Sequence, residues 1–195
     1  PGDVVDDFVV KKTIGTGGMG VVFRAEQIRP VRRTVALKVI RPGMASESVL
    51  ARFDAERQAL ALMDHPGIAS VYQAGTTKND LPYFALEFVP GRPICEAADE
   101  ARLNIEQRLE LMAKVCDAVQ HAHTKGVIHR DLKPSNILVR ESGEGELVPK
   151  VIDFGVAKAV DPGSDWNPLH TQVDGMLGTP CYMSPEQSDP SGEGI

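Results

Sequence analysis

Two short stretches hold residue types that can move a proton beside a charged group. They are His129-Arg130-Asp131-Leu132-Lys133-Pro134-Ser135-Asn136 and Asp153-Phe154-Gly155. A carboxylate close to a lysine suits a group that accepts a hydroxyl proton next to an anion in transfer. An amide and a further carboxylate offer hard oxygen donors, the kind that hold Mg²⁺ together with phosphate oxygens. Asp and Asn are also ordinary turn residues, so any one of these positions alone reads equally as a solvated loop. The ordered set is what points to chemistry.

Such groups act together only if the fold gathers them. Two apolar runs, Ile137 to Val139 and Val148 to Ile152, flank Glu141-Ser142-Gly143-Glu144-Gly145-Glu146, which predicts a hairpin with glycine in the turn. Folding back on that turn carries Asp153 towards Asn136. Upstream, Phe8 to Ile14 predicts a strand that runs into Gly15-Thr16-Gly17-Gly18-Met19-Gly20. The G-x-G-x-x-G spacing is shared with dinucleotide-binding turns, whose glycines open a helix. Here Val21, Val22 and Phe23 follow, and these are β-formers, so the glycines turn one strand into the next. Such a turn is either a plain hairpin or a loop able to lie over phosphates, since no Cβ blocks close approach.

Thr34 to Ile40 predicts a buried strand with Lys38 as its one charge. A lysine there must pair, bind an anion, or snorkel from an edge. Ser46 to Met63 predicts a helix, capped by Ser46 or Ser48, with Val49, Phe53, Leu60 and Met63 near one stripe. Glu56 lies close to that stripe, and its candidate partners are Lys38 and, one turn earlier, Arg52. His65-Pro66-Gly67 ends the helix. Ile68 to Ala74 and Tyr83 to Val89 predict two more strands, joined by a turn at Lys78-Asn79-Asp80. Pro90-Gly91 then breaks the chain and the composition turns helical, which places a boundary between a unit 1–89 and a unit 90–195.

Ile105 to Lys125 predicts the clearest helix. Asn104 and Gln107 have capping-box spacing, and Gly126 ends it. Ile105, Leu109, Met112, Cys116 and Val119 form one apolar stripe. From Val156 to Met183 the chain is irregular and broken by Gly and Pro, and stretches of that length are functional or disordered. With 42% hydrophobic and 25% charged residues, the 195-residue chain has the composition of a globular protein. A net charge of −6 gives no reason to expect a nucleic-acid partner. Cys95, Cys116 and Cys181 are scattered without a C-x-x-C, which fits a reducing, cytoplasmic setting and no metal cluster. No run of about 18 apolar residues suggests a membrane span.

H-R-D-L-K-P-S-N followed by D-F-G resembles the catalytic core of a eukaryotic-type protein kinase. With G-T-G-G-M-G, V-A-L-K and G-T-P-C-Y-M-S-P-E, the chain as a whole is similar to the Hanks-type serine/threonine kinases of bacteria. The resemblance implies an α+β fold of two lobes. The first, 1–89, has an antiparallel sheet and one helix; the second, begun by 90–195, is mainly helical. It implies ATP and Mg²⁺ as cofactors and a protein serine or threonine as acceptor. By the same resemblance Asp131 is the base, Lys133 neutralises the moving phosphoryl group, and Asn136 and Asp153 are the metal ligands. Lys38, set by Glu56, holds the α- and β-phosphates. Ile14, Gly15, Gly17, Gly18 and Gly20 cover the nucleotide, and Val22, Ala36 and Leu138 sandwich its adenine. Backbone groups of Glu87 and Val89 meet the ring edge, and Leu86 guards the pocket behind. His129 becomes a packed histidine against Phe154 rather than a base.

Lys133 and Thr179 mark serine/threonine preference. The segment from Val156 becomes an activation segment, with Thr171 as the first candidate for autophosphorylation, Ser164 the second, and Arg130 as partner of the phosphate. Ser184 replaces an alanine of the family pattern, and Trp166 has no counterpart in it.

The resemblance runs from Phe8 to Glu186, nine residues short of Ile195, whereas family members continue through further helices. Those helices would bury the Ile105 to Val119 stripe, and each large side chain left out forgoes roughly 1.5–3 kcal/mol. A fragment or truncated product, with any membrane tether lying beyond it, is therefore the expectation. Two other readings are a nucleotide-binding pseudokinase or interaction module, favoured by truncation, and a small-molecule phosphotransferase. Intact Lys38, Asp131, Asn136 and Asp153 speak against the first. Lys133 and the segment ending in Glu186 speak against the second.

Overall fold

In the computed structural model, the residues described are 4–17, 20–41, 63–143, 145–154 and 180–185. Alternation of side chains across a pleat builds the first sheet. Its strands are β1 (Val4–Val5), β2 (Phe8–Gly17), β3 (Gly20–Gln27), β4 (Arg33–Ile40), β5 (Val71–Thr76) and β6 (Pro82–Glu87). They pair antiparallel in the order β1-β2-β3-β4-β6-β5. One face carries Phe8, Val10, Ala25, Val35, Leu37, Tyr83 and Ala85, all buried in a single cluster. The opposite face carries Gly15, Val22, Ala36, Lys38, Phe84 and Leu86, aligned across the strands as Gly15 with Val22, Val22 with Lys38, Lys38 with Phe84, and Ala36 with Leu86.

A second sheet holds β7 (Arg92–Pro93), β8 (Ile137–Glu141) and β9 (Leu147–Val151), in that order. Helices α1 (Ile94–Glu100) and α2 (Ile105–Thr124) lie between β7 and β8 in sequence. Asn104 caps α2 as its spacing predicts: its side chain accepts from the Gln107 N–H at 2.9 Å, and the Gln107 side chain accepts from the Asn104 N–H at 3.0 Å. One core cluster joins β6, α2 and the β8–β9 hairpin, with Phe84 and Leu86 of β6, Val115, Ala118 and Ala122 of α2, Ile137, Val151 and Phe154, and Met63 and Ile68.

Several predicted boundaries move. A short strand not predicted from the sequence, β1, precedes Phe8, because Val4 and Val5 pair with Val9 and Phe8 at the sheet edge. The strand expected from Ile68 starts at Val71. Ile68 instead makes one parallel bridge to Val151, and the Ala69 N–H donates to the Val151 carbonyl at 2.9 Å. The strand expected to reach Val89 ends at Glu87. α2 also buries a second face that the sequence reading did not name, beside the stripe assigned to further helices. Leu111, Val115, Ala118 and Ala122 face inward, while Ile105, Leu109 and Met112 are 79%, 65% and 44% exposed. At 100° per residue the two stripes lie about 110° apart. The helix predicted over Ser46 to Met63 falls outside the described residues, save for buried Met63.

Gly91 lies where β6 hands over to the second sheet. A Cβ there would sit 2.6 Å from the Val139 carbonyl oxygen, and that oxygen belongs to β8 and cannot step aside. Gly91→Ala should therefore destabilise the chain by about 1–3 kcal/mol. The urea midpoint of the variant measures this, and an unchanged midpoint would show that the two segments do not meet there.

Candidate active site

The predicted hairpin forms and does what its position requires. Ile137 pairs with Val151, and the Ile152 N–H donates to the Asn136 carbonyl at 2.9 Å. Asn136 ends a short 3₁₀ turn, Pro134–Asn136, whose proline presets the backbone. Asp153 thus emerges beside Asn136 although 17 positions separate them. The Asn136 amide nitrogen donates to the Asp131 carbonyl at 2.8 Å and to Asp131 Oδ2 at 3.2 Å. Lys133 Nζ is 2.8 Å from Asp131 Oδ2. Asp131, Lys133 and Asn136 are therefore one bonded group.

Lys38 reaches Asp153 from the first sheet. Its Nζ is 3.0 Å from Asp153 Oδ2, with the lysine side chain 11% exposed. An ammonium this far from water must be paired, and Asp153 provides the charge. The predicted partner Glu56 lies outside the described residues, as do Gly18, Thr171, Ser164, Thr179 and Trp166.

The remaining predicted nucleotide contacts divide between the two sheets. Gly15, Val22, Ala36 and Leu86 share the Lys38 face. Gly17 pairs with Gly20 where β2 turns into β3, and a Cβ on Gly20 would lie 2.3 Å from the Val39 carbonyl oxygen. Ile14 is exposed on β2, at 45%. Leu138 stands on β8, in register with Lys150. At the end of β6 the Glu87 N–H donates to the Ser70 carbonyl at 2.8 Å, and the Val89 carbonyl accepts from the Gly91 N–H at 2.9 Å.

His129 is buried, and its ring lies 4.7 Å from that of Phe154. The Asp131 N–H points at Nδ1 at 3.3 Å, so Nδ1 accepts and Nε2–H donates to the Ile152 carbonyl at 2.9 Å. Both ring nitrogens are thereby occupied in orienting Asp131 and the chain before Asp153. Burial lowers the His129 pKa below the ordinary histidine value. Arg130 and Asp153 have φ of +64° and +63°, left-handed backbone that costs a non-glycine residue energy. The surrounding packing must hold the site in that shape.

Asn136 and Asp153 are oxygen donors suited to a hard divalent cation. The Asn136 nitrogen is committed to Asp131, so its oxygen is the end available to an ion. An amide and a carboxylate fit an ion that takes its other ligands from phosphate.

Sequence reasoning missed one pair near this site. Lys150 Nζ is 2.6 Å from Glu87 Oε2, across 63 positions. Lysine inside a strand is a visible signal, but its partner was not.

A sheet with a glycine turn over a paired lysine, facing a hairpin that presents Asn136 and Asp153, is a protein kinase arrangement. The protein kinase domain matches residues 8–192, and the chain belongs to that family. Among bacterial serine/threonine kinases, it is 40% identical over 181 residues to the serine/threonine-protein kinase pkn3 of Myxococcus xanthus, covering 92% of this chain and 33% of that protein. It is 37% identical over 185 residues to PknA of Mycobacterium tuberculosis, covering 92% and 41%. The crystal structure of the M. tuberculosis PknI kinase domain superposes with a TM-score of 0.66 at 26% identity, covering 80% of this chain and 61% of that one. The fold is thus the α+β protein-kinase fold. The chain spans about a third of the length of these curated relatives.

Neutral His129 has a consequence for stability. Its folded pKa is lowered, so the unfolded chain takes up the proton first. The stability from this residue is complete above the unfolded value, about 6.5, and is lost as pH falls towards the folded one. Unfolding free energies from urea titrations between pH 8 and pH 5 should fall with a slope of at most about 1.4 kcal/mol per pH unit from this group. His129→Asn should flatten the slope below pH 6.5, whereas matching slopes in both proteins would remove the assignment.

Proposed function

We propose that the chain transfers the γ-phosphoryl group of ATP to a serine or threonine hydroxyl of a protein, with Mg²⁺ as the ion. The observation carrying this reading is that Asp131, Lys133 and Asn136 form one bonded group while Lys38 and Asp153 meet beside it. In this reading residues 1–89 form the first lobe and 90–195 begin the second, with the nucleotide between them.

The Glu87 N–H is already bonded to Ser70 and the Val89 carbonyl to Gly91. The Glu87 carbonyl and the Val89 N–H are then the acceptor and donor for the adenine edge, which needs one of each. Val22, Ala36 and Leu138 cover the ring faces, Leu86 closes the back, and Gly15, Gly17, Gly18 and Gly20 lie over the phosphates, flanked by Ile14. Lys38, with Glu56, holds the α- and β-phosphates. Asn136 and Asp153 would hold Mg²⁺, which when bound spreads the phosphate charge. As the hydroxyl oxygen bonds to the γ-phosphorus and the bond to ADP breaks, Asp131 takes the hydroxyl proton. Lys133 balances charge on the group in flight. Placement and charge compensation supply most of the rate in such transfers.

Similarity to named serine/threonine kinases supports this reading. Asp131→Asn should lower Mg·ATP-dependent labelling of a generic protein substrate by about 10²–10⁴-fold, with Mg·ADP affinity retained. Equal labelling by the variant and the parent would overturn the proposal. Thr171 is the proposed site of autophosphorylation, its phosphate ordering the segment against Arg130. Mass spectrometry after incubation with Mg·ATP should find it modified. An active enzyme with unmodified Thr171 would remove that part alone.

A further inference from the structure

The Glu87–Lys150 pair has no part in the chemistry above. Lys150 is 7% exposed. Its Nζ bonds Glu87 Oε2 at 2.6 Å and the Ile68 carbonyl at 3.3 Å. The same carboxylate oxygen accepts from the Ser70 N–H at 3.2 Å. Three segments therefore close on one oxygen: the end of β6, the 68–70 connection and β9. The Ile68 bridge to Val151 and the Val151 N–H bond to the Gly67 carbonyl at 2.8 Å seal the same junction.

Its location gives it meaning. Glu87 follows Leu86 and stands two residues before Val89, so its backbone lies in the adenine segment. Lys150 stands three residues before Asp153 on the strand that delivers the metal ligand, and its neighbour across the hairpin is Leu138. Resting on the reading proposed above, we infer that the Glu87–Lys150 pair is a positioning device. It fixes the spacing between the adenine segment and the Asp153 strand, so that one nucleotide can engage both ends.

Stability alone is a poor account of this pair. Apolar residues of similar size often serve a buried site as well as an ion pair or better, because both charges must be desolvated. What the pair adds is registration: a short, directional link with one allowed length, where apolar contacts would tolerate sliding. Lysine suits the task because its stem packs along apolar neighbours while the ammonium reaches across.

The test uses the double variant Glu87→Met/Lys150→Met, which removes both charges and leaves neither stranded. Thermal unfolding should show it folded, at or above the parent midpoint. Its dissociation constant for Mg·ADP should rise about tenfold, while that for adenosine, which engages only the adenine segment, should change less than about twofold. KM for ATP should rise with KM for the protein substrate unchanged, and Lys150→Arg alone should stay within about threefold of the parent. Parent-like Mg·ADP binding by the folded double variant would overturn the inference. So would equal weakening of adenosine and Mg·ADP, which would mean the pair shapes the adenine segment alone. A parent chain that binds neither ligand would overturn the kinase reading and this inference with it.

Discussion

A single ammonium group, that of Lys38, sets the terms for the rest of the molecule. It sits in the apolar strand Val35-Ala36-Leu37-Lys38-Val39-Ile40, where a charge without a partner is not tolerated. Its partner at 3.0 Å comes from a part of the chain over a hundred residues away. Asp153 is there only because β8 and β9 fold back on each other, and β9 is held by the 67–70 connection. This ion pair, together with that of Glu87 and Lys150, ties the glycine-turn sheet to the hairpin.

Rigidity around that pair is distributed. Phe84 and Leu86 carry the first sheet into the same apolar cluster as Ile137, Val151 and Phe154. His129 uses both ring nitrogens on backbone, one towards Asp131 and one towards Ile152, so Asp131 and the chain before Asp153 share a brace. Left-handed backbone at Arg130 and Asp153 is the local cost of presenting these side chains, offset by the surrounding bonds and packing. Membership of the protein kinase family accounts for the kinds of residue present, and the local physics accounts for why each can stay where it is.

Much of this was legible in the sequence because it is local. The hairpin followed from two apolar runs around a glycine turn, the α2 cap from Asn104 and Gln107, and the strand-to-strand glycine turn from the β-formers after Gly20. Lys38 announced itself as one charge in an apolar strand. What stayed hidden was long-range or small. The inward face of α2 relies on Ala118 and Ala122, which let backbones approach yet carry little hydropathy, so the pattern showed only the stripe of larger Ile105, Leu109 and Met112 on another face. β7 is two residues long and exists only through its pairing with β8. The bond between Glu87 and Lys150 leaves no periodic trace, since neither residue shows where the other will be.

The most direct measurement is a double-mutant cycle on the nucleotide-free chain, with Lys38→Met, Asp153→Asn and both together, read as unfolding free energy. A coupling of at least about 1 kcal/mol between the two positions is expected. Effects that add to within about 0.5 kcal/mol would mean that the lysine and the carboxylate do not meet, and that Lys38 does not link its strand to Asp153.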